Sequence, residues 1–318
     1  MALHGEVRPS KVTPTGVLCA RVRIEEKQII AALGDAGMVA MPVPPASTPL
    51  PPDPASPLVA LGRFIDATTG EAIDQAVSCI IDRAQNRAVA GATLPLLRAQ
   101  GVRTIDAGLA ATGSRLDIAI ALSRAGLPRP RALTGFSEAS GARAAAEIGF
   151  PATLLGMTPG GTTTHLLDHD TADAVIEHRV VLGSEGEAIF LLQADAPDAT
   201  ARALIHVVGG RAIAIEGIDL TGEELDIAER AALALDASLV AIELARTGQR
   251  GSTVVWDAHP VGDFRAARQL GEATVAGAIA ALAVRSRDSD AVLQTSFVGE
   301  TSRNGWEATV EHGVVLSA

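Results

Sequence analysis

Three side chains that could bind a metal or transfer protons occur in two apolar runs in the second half of the chain. Glu243 lies in the run 239–245, and Asp257 and His259 end the run 252–259. The turn between the runs is rich in glycine and charge, which predicts a strand hairpin. Residues two apart on a strand point to the same side, so Asp257 and His259 share a face and Glu243 can lie beside them.

The chemistry of this hairpin has two interpretations. Two carboxylates and an imidazole that converge could hold a divalent cation or serve acid–base chemistry, because hard cations prefer oxygen ligands. The alternative is a surface hairpin whose charged residues are solvated, since carboxylates are usually exposed. The spacing alone leaves both open.

A second candidate is the segment 156–164, which is rich in glycine and threonine and follows an apolar run. Backbone N–H groups of such a loop can cradle a phosphate. The segment contains no cation and lacks the Gly-Lys-Ser/Thr of a Walker motif. A phosphate-binding flap and a flexible hairpin tip therefore remain alternatives.

Composition excludes several classes of protein. With 318 residues, 47% of them hydrophobic and 20% charged, the chain fits about two globular domains or one large α/β unit. Aromatic residues make up only 3%, so Ala, Leu, Val and Ile must fill the core. The net charge of −11 argues against a nucleic-acid partner, which would require clustered Lys and Arg.

The cysteines and the hydropathy of the chain predict the cellular compartment of the protein. Cys19 and Cys79 both lie in apolar runs, which predicts buried thiols in a reducing environment rather than a disulfide or a zinc site. No apolar run has the length of a membrane span, and the first residues lack a signal core. We expect a cytoplasmic protein without a membrane partner. Lys11 and Lys27 are its only lysines.

The apolar periodicity predicts alternating strands and helices from the start of the chain. A strand, a helix and a second strand at residues 16–42 indicate a βαβ unit and a parallel sheet. The other predicted strands are 76–81, 101–106, 131–133, 150–155, 188–193, 203–208 and 211–218, besides the hairpin above. The other predicted helices are 83–100, a segment that runs from 111 and continues as a helix to 125, 137–148, 171–178, 221–236 and 264–284. Two strand-like runs around Asn304-Gly305, within residues 291–316, predict a terminal hairpin.

This order of elements resembles the ATP-grasp superfamily, most closely its RimK-like and LysX-like amino-group ligases. The resemblance rests on the collinear segments 17–29, 112–130, 150–163, 207–214 and 220–259. It implies an α/β (α+β) protein with an ATP-grasp fold and an N-terminal pre-ATP-grasp parallel α/β domain. The implied units are an arm at 1–15, the pre-ATP-grasp domain at 16–110, a small lobe with a Gly-rich flap at 111–195, a large lobe with a metal hairpin at 196–285, and a β-hairpin extension at 286–318.

The resemblance also implies a reaction. Family members use ATP and Mg²⁺ to join a carboxylate to an amine through an acyl phosphate, releasing ADP. The implied partners are a small-molecule carboxylate or amino-group substrate, with a carrier protein as one alternative, and we expect a homodimer or larger assembly.

The resemblance assigns roles to individual positions. By this correspondence Arg115 and Arg202 would act on the phosphates, and Asp263 and Arg265 would recognise the substrate. The nucleotide positions are Arg115, Gly156, Gly160, Gly161, Thr162, Gln193 and Asp195, and the metal positions are Glu243, Asp257 and His259.

Several positions depart from the family pattern, among them Ser114-Arg115 in place of Asp-Lys and His259 in place of Asn. Three further departures together favour a loss of catalysis. Leu155 stands where the family has the flap lysine, Leu204 where it has the arginine at the reacting phosphate, and Ala194 where it has the acidic residue of the adenine hinge. Three hypotheses follow. The chain is a ligase with an altered and weakened site, a pseudoenzyme that acts as a partner or regulatory subunit, or a binding protein that retains a small-ligand cleft.

Overall fold

The computed structural model describes most of the chain. The described residues are 14–44, 63–65, 72–74, 77, 79–99, 101–183, 188–194, 201–247 and 252–300, with the backbone alone for 63–65, 72–74 and 288–300.

The first third of the chain builds a four-stranded parallel sheet. The elements in order are β1 (Thr15–Leu18), α1 (Ile24–Asp35), β2 (Ala40–Val43), β3 (Arg63–Ile65), β4 (Ala72–Asp74), β5 (Cys79–Asp82), α2 (Arg87–Ala99) and β6 (Arg103–Ile105). The strand order is β2-β1-β5-β6. The two central strands, β1 and β5, are buried on both faces, as inner parallel strands require. The predicted βαβ start is confirmed, and β3 and β4 form a separate antiparallel pair.

The middle of the chain builds an antiparallel sheet of order β7-β10-β8-β9. Its elements are α3 (Leu109–Thr112), α4 (Arg115–Arg124), β7 (Ala132–Gly135), α5 (Glu138–Ile148), β8 (Ala152–Leu155), β9 (Thr163–Leu166), α6 (His169–Leu182) and β10 (Phe190–Ala194). Helix α4 begins where the Ser114 hydroxyl accepts the backbone N–H of Asp117, which satisfies an otherwise unpaired helix donor. This cap fixes the position of Arg115, the first residue of the helix.

The last part builds a five-stranded antiparallel sheet of order β14-β13-β11-β12-β15. Its elements are β11 (Arg202–Val208), β12 (Arg211–Gly217), α7 (Gly222–Ala234), β13 (Leu239–Thr247), β14 (Ser252–His259), β15 (Arg268–Gln269) and α8 (Val275–Glu300). Gly209 and Gly210 both have positive φ and form the predicted two-residue turn. Thr221 caps α7 with Glu224 as predicted.

Two sequence predictions about the end of the chain are wrong. The predicted helix 264–284 begins only at Val275, because Arg268–Gln269 pairs with β12 as an edge strand and the Leu270 N–H bonds the Ile213 carbonyl. The apolar positions that suggested a helix there include Leu270, which packs on the core from a strand edge. The strand-like run expected from residue 291 is helical as far as Glu300, and the rest of the predicted hairpin lies outside the described residues.

The hydrophobic cores divide the molecule in two. Two clusters each combine side chains of the parallel sheet with side chains of the five-stranded sheet, and Ile118 and Leu122 of α4 belong to the first of them. A third cluster lies between the middle sheet and α5 and α6. We call the first assembly the body, with α4 in it, and the second the small lobe. Among the described helices, none is both long enough and apolar enough to cross a membrane.

Candidate active-site cleft

The hairpin of β13 and β14 brings the candidate residues together. Glu243 lies directly opposite Asp257, and Ala241 opposite His259, with a bulge just after Glu243. The predicted hairpin is confirmed, with Glu243 on the strand beside Asp257 and His259. The alternative of a solvated surface hairpin is wrong, because the side chains of Asp257 and Glu243 are only 10% and 18% exposed.

Glu243 is held by two cationic partners. Its Oε1 accepts from Arg202 Nη1 at 3.0 Å, and its Oε2 lies 2.9 Å from His259 Nε2. The Arg202 guanidinium also lies 4.3 Å from the centre of the Trp256 ring. Burial raises the pKa of Glu243, but the hydrogen bond from His259 and the charges of His259 and Arg202 outweigh it and leave that pKa lowered. Burial likewise lowers the pKa of His259, but the bond to Glu243 and the charges of Asp257 and Glu243 leave it raised.

Asp257 binds a cation from a different part of the chain. Its Oδ2 accepts from Arg115 Nη2 at 2.7 Å, and its Oδ1 accepts the backbone N–H of Ala258 at 2.9 Å. The Arg115 side chain is 3% exposed, so this ion pair is buried on both sides. Arg115 was expected to meet a phosphate, and in the structure its charge is matched by Asp257.

The Gly-rich loop between β8 and β9 turns its carbonyls toward Arg115. The guanidinium donates to the carbonyl of Gly156 at 3.0 Å, of Gly161 at 3.2 Å and, weakly, of Thr162 at 3.5 Å. The N–H groups of Gly156 and Gly161 bond the carbonyls of Thr162 and Thr158 inside the loop. Gly160 has a φ of +70°, which favours glycine. The loop therefore presents carbonyl oxygens to a cation, whereas a phosphate cradle would present N–H groups.

The expected three-ligand metal group is not formed. Glu243 and His259 converge, but the Asp257 carboxylate is directed to Arg115. Within the described ranges, no three His, Cys, Asp or Glu side chains come together in a way that could hold a metal ion. The hairpin brings the three predicted ligand positions together, and Asp257 is paired with Arg115. Metal binding at these positions stays a prediction.

Leu204 is half-buried on β11, the central strand of the five-stranded sheet. It lies opposite Glu243 on β13 and Glu216 on β12. It lines a pocket of about 410 Å³ whose walls include Arg202, Glu216, Glu243, His259 and Asp263. The predicted shared face of Arg202 and Leu204 is confirmed, since both line this pocket. The pocket contains more carboxylates than cations.

The segment that begins at Gln193, predicted to read adenine, retains one polar group. Gln193 on β10 lies opposite Thr153 on β8, on the sheet face away from the α5–α6 core. Its side chain is buried, and its Nε2 has no hydrogen-bond partner among the described residues. Leu155 is buried on the same face of β8. Asp195 lies outside the described residues.

The predicted substrate residues bind each other and the parallel sheet's first helix. Arg265 pairs with Asp263, and its Nε lies 2.7 Å from Oε1 of the buried Glu25 on α1. These contacts hold the pKa of Asp263 well below its usual range, chiefly through the hydrogen bond from Arg265. Whether either residue recognises a substrate remains a prediction.

Sequence reasoning missed a buried arginine beneath this segment. Arg83, directly after β5, bonds Glu26 Oε1 at 3.0 Å and the carbonyl of Gly262 at 3.0 Å, and lies 5.5 Å from the Phe264 ring centre. His206, buried beside Phe264, has a pKa lowered to about 4, chiefly by burial and then by the charge of Arg83. The available signal was the acidic and basic pair Asp82-Arg83 at the carboxyl end of a buried parallel strand, where α/β proteins place functional groups.

The charges in the cleft do not fit a triphosphate held by magnesium. Arg115, Arg202 and Arg265, the three arginines assigned to phosphate or substrate, each already bind a carboxylate. Charge-assisted bonds to phosphate need cations that are free to approach it. Lys27 is exposed on α1, and Lys11 lies outside the described residues.

No family model matches the sequence, but comparison with solved structures identifies the fold. A RimK domain ATP-grasp protein from Sphaerobacter thermophilus is 26% identical, with a TM-score of 0.68 over 84% of this chain and 98% of that one. The ATP-grasp ligase PsnB, complexed with a minimal precursor, is 14% identical with a TM-score of 0.60 over 86% and 99%. The D-alanine–D-alanine ligase of Coxiella burnetii is 11% identical with a TM-score of 0.60 over 92% and 100%.

The similarities to PsnB and to the D-alanine–D-alanine ligase show a shared fold alone. The similarity to the RimK domain protein covers nearly the whole of that protein. It agrees with the mixture of one parallel sheet and two antiparallel sheets described above. The chain therefore has the ATP-grasp fold in a mixed α/β architecture and is similar to a RimK domain ATP-grasp protein.

Proposed function

We propose that this protein is a non-catalytic ATP-grasp protein that acts as a partner or regulatory subunit, with its nucleotide cleft filled by its own ion pairs. The observation that carries the proposal is the buried pair between Arg115 and Asp257. It removes one phosphate cation and one metal ligand in a single contact.

The two leucines support the same conclusion. Leu155 and Leu204 cannot contact phosphate, and each charge-assisted bond that they fail to make is worth roughly 1.5–3 kcal/mol. Two such losses would weaken nucleotide affinity by about two to four decades if they were additive. The three arginines predicted to act in the cleft, Arg115, Arg202 and Arg265, are each paired with a carboxylate.

The second candidate is a weakened ATP-dependent carboxylate–amine ligase. The observation that favours it is the buried amide of Gln193, whose Nε2 has no described partner on the cleft face of the hinge. An adenine could accept a hydrogen bond there. The Glu243–His259 pair would then supply two of the ligands for a divalent cation.

Thermal-shift titration with Mg-ATP and Mg-ADP separates the two candidates. The non-catalytic protein shows no shift up to millimolar nucleotide, because the ion pairs compete with the phosphates. A nucleotide present at 100 times its Kd would instead stabilise the protein by about 2.7 kcal/mol. A saturating shift, together with ADP release in the presence of amino acids, would establish the ligase and reject our proposal.

A restoring variant tests the assignment of the leucines. Leu155→Lys with Leu204→Arg returns both cations, and an arginine at 204 would lie between Glu216 and Glu243. We expect this double variant to bind Mg-ATP at least about tenfold more tightly than the wild type, from one or more restored contacts. The matched control is Leu233→Arg, which adds charge at an exposed position on α7. Unchanged binding by a folded double variant would show that these positions do not face the phosphates.

A further inference from the structure

Arg115 joins the two parts of the molecule. It stands on α4, whose residues Ile118 and Leu122 are in the core of the body, and Asp257 stands on β14 of the body. The Gly-rich loop at 156–162 belongs to the small lobe. In the described part of the chain the small lobe has its own hydrophobic cluster, which includes no residue of this loop, and hydrogen bonds from Arg115 connect the loop to the body.

Each nitrogen of the Arg115 guanidinium has a hydrogen-bond acceptor. One edge faces Asp257, with Nη2 at 2.7 Å from Oδ2 and Nε at 3.4 Å from Oδ1. Nη1 and Nη2 also donate to the carbonyls of Gly156 and Gly161, and the backbone N–H of Arg115 bonds the Met157 carbonyl at 2.7 Å. A planar fork can satisfy a carboxylate and two carbonyls together, which a lysine ammonium cannot do with the same geometry.

Each contact depends on the others. Without the charge of Asp257, Arg115 would be a buried cation held only by carbonyl dipoles, and it would gain by moving toward water. The loop carbonyls would then lose their donors. We infer that Arg115 and Asp257 form a latch that holds the Gly-rich loop closed on β14, and that breaking the ion pair opens the loop while the body stays folded. The latch does not depend on whether the protein binds nucleotide.

Hydrogen exchange on the full-length chain tests the latch. The variants are Asp257→Asn, which keeps the shape and removes the charge, and Arg115→Lys, which keeps the charge and removes the fork. The matched control is Glu147→Gln, which breaks the Arg131–Glu147 pair, where both side chains are more than half exposed. We expect exchange of the amides at 156–162 to accelerate about tenfold or more in both latch variants, with the strands of the body unchanged, since local opening requires only the local contacts to break. The control should match the wild type.

Two results would overturn the inference. If loop exchange in Asp257→Asn equals that of the wild type, the ion pair does not hold the loop. If exchange accelerates equally in the loop and in β11 and β13, the pair stabilises the whole fold and is no latch. Arg115→Lys decides the matter if Asp257→Asn fails to fold: a folded lysine variant with wild-type loop exchange also rejects the latch.

Discussion

The Glu243–His259 pair makes the cleft sensitive to pH. The pKa of His259 is raised in the folded protein, so its contribution to stability is fully present below the ordinary value of about 6.5 and is lost as the pH rises through the folded value. The pKa of Glu243 is lowered, so its contribution is present above the ordinary carboxyl range and is lost as the pH falls through the folded value. The pair therefore stabilises the fold most between about pH 5 and 6.5.

Replacing His259 should remove this dependence. In His259→Gln the amide can still bond Glu243, but it carries no charge at any pH. We expect the wild type to be more stable than the variant, and the difference in free energy of unfolding to be about 1 kcal/mol larger at pH 6 than at pH 9. Urea denaturation at both pH values measures this difference.

The control for this experiment is His178→Gln, at an exposed position on α6. It should leave the difference between pH 6 and pH 9 as in the wild type. A His259→Gln variant that loses the same stability at both pH values would show that the histidine is not charged against Glu243.

At the scale of elements, Gly108 fixes the approach of the parallel sheet to the five-stranded sheet. It has a φ of +55°, and a Cβ added there would lie 2.0 Å from the Leu235 carbonyl oxygen and 2.4 Å from that of Asp236. The adjacent Leu109 N–H bonds the same Leu235 carbonyl, and the Ser238 N–H bonds the Asp106 carbonyl. Backbone meets backbone here, so no side chain can move aside.

We expect Gly108→Ala to destabilise the protein by more than about 3 kcal/mol, because the clash adds to the cost of positive φ. Gly126→Ala is the matched control, since Gly126 also has positive φ, and a Cβ there would meet open space. The control should lose about 1–2 kcal/mol. Thermal unfolding of the two variants measures both losses, and equal losses would contradict the close approach.

For the whole molecule, Arg83 links α1 to the segment after β14, alongside the direct pair of Arg265 with Glu25. It bonds Glu26 on one side and the Gly262 carbonyl on the other, and both Arg83 and Glu26 are fully buried. Without Arg83, the Gly262 carbonyl would lose this donor and Glu26 would keep only its bonds to the partly exposed Arg23. The two contacts together hold the segment that carries Asp263 and Arg265.

Arg83→Met should lower the free energy of unfolding by about 2–3 kcal/mol, because the Gly262 carbonyl and one Glu26 oxygen lose a buried donor while Arg23 still pairs with Glu26. Arg23 bonds the same Glu26 carboxylate but its side chain is 39% exposed, so Arg23→Met is the matched control and should cost only about 1 kcal/mol or less. Chemical denaturation gives both values. Equal effects of the two substitutions would show that burial of Arg83 is not what makes it important.

Local patterns were sufficient for most of the elements and for part of the site. The apolar runs around Glu243 and Asp257 specified two strands, and the glycine- and charge-rich turn between them specified their pairing. The bulge after Glu243, which no local pattern announced, decided that Asp257 lies directly opposite it. The cap at Thr221 and the turn at Gly209-Gly210 are likewise local, because each depends on the conformation of a few adjacent residues. The helix expected at 264–284 failed at its start because β12 offered an edge with which Arg268 and Gln269 could pair.

The partners of the charged side chains were decided only by the tertiary structure. From the sequence by itself, the resemblance to the ATP-grasp pattern assigned functional positions to four residues, namely Arg115, Asp257, Glu243 and His259. It could not determine that Arg115 would bind Asp257, 142 residues away, because that contact depends on how α4 and β14 pack in the body. The periodicity of apolar residues indicates which face of an element is buried. The pairing of two buried charges depends instead on the distance between two elements, and a local sequence pattern carries no information about that distance.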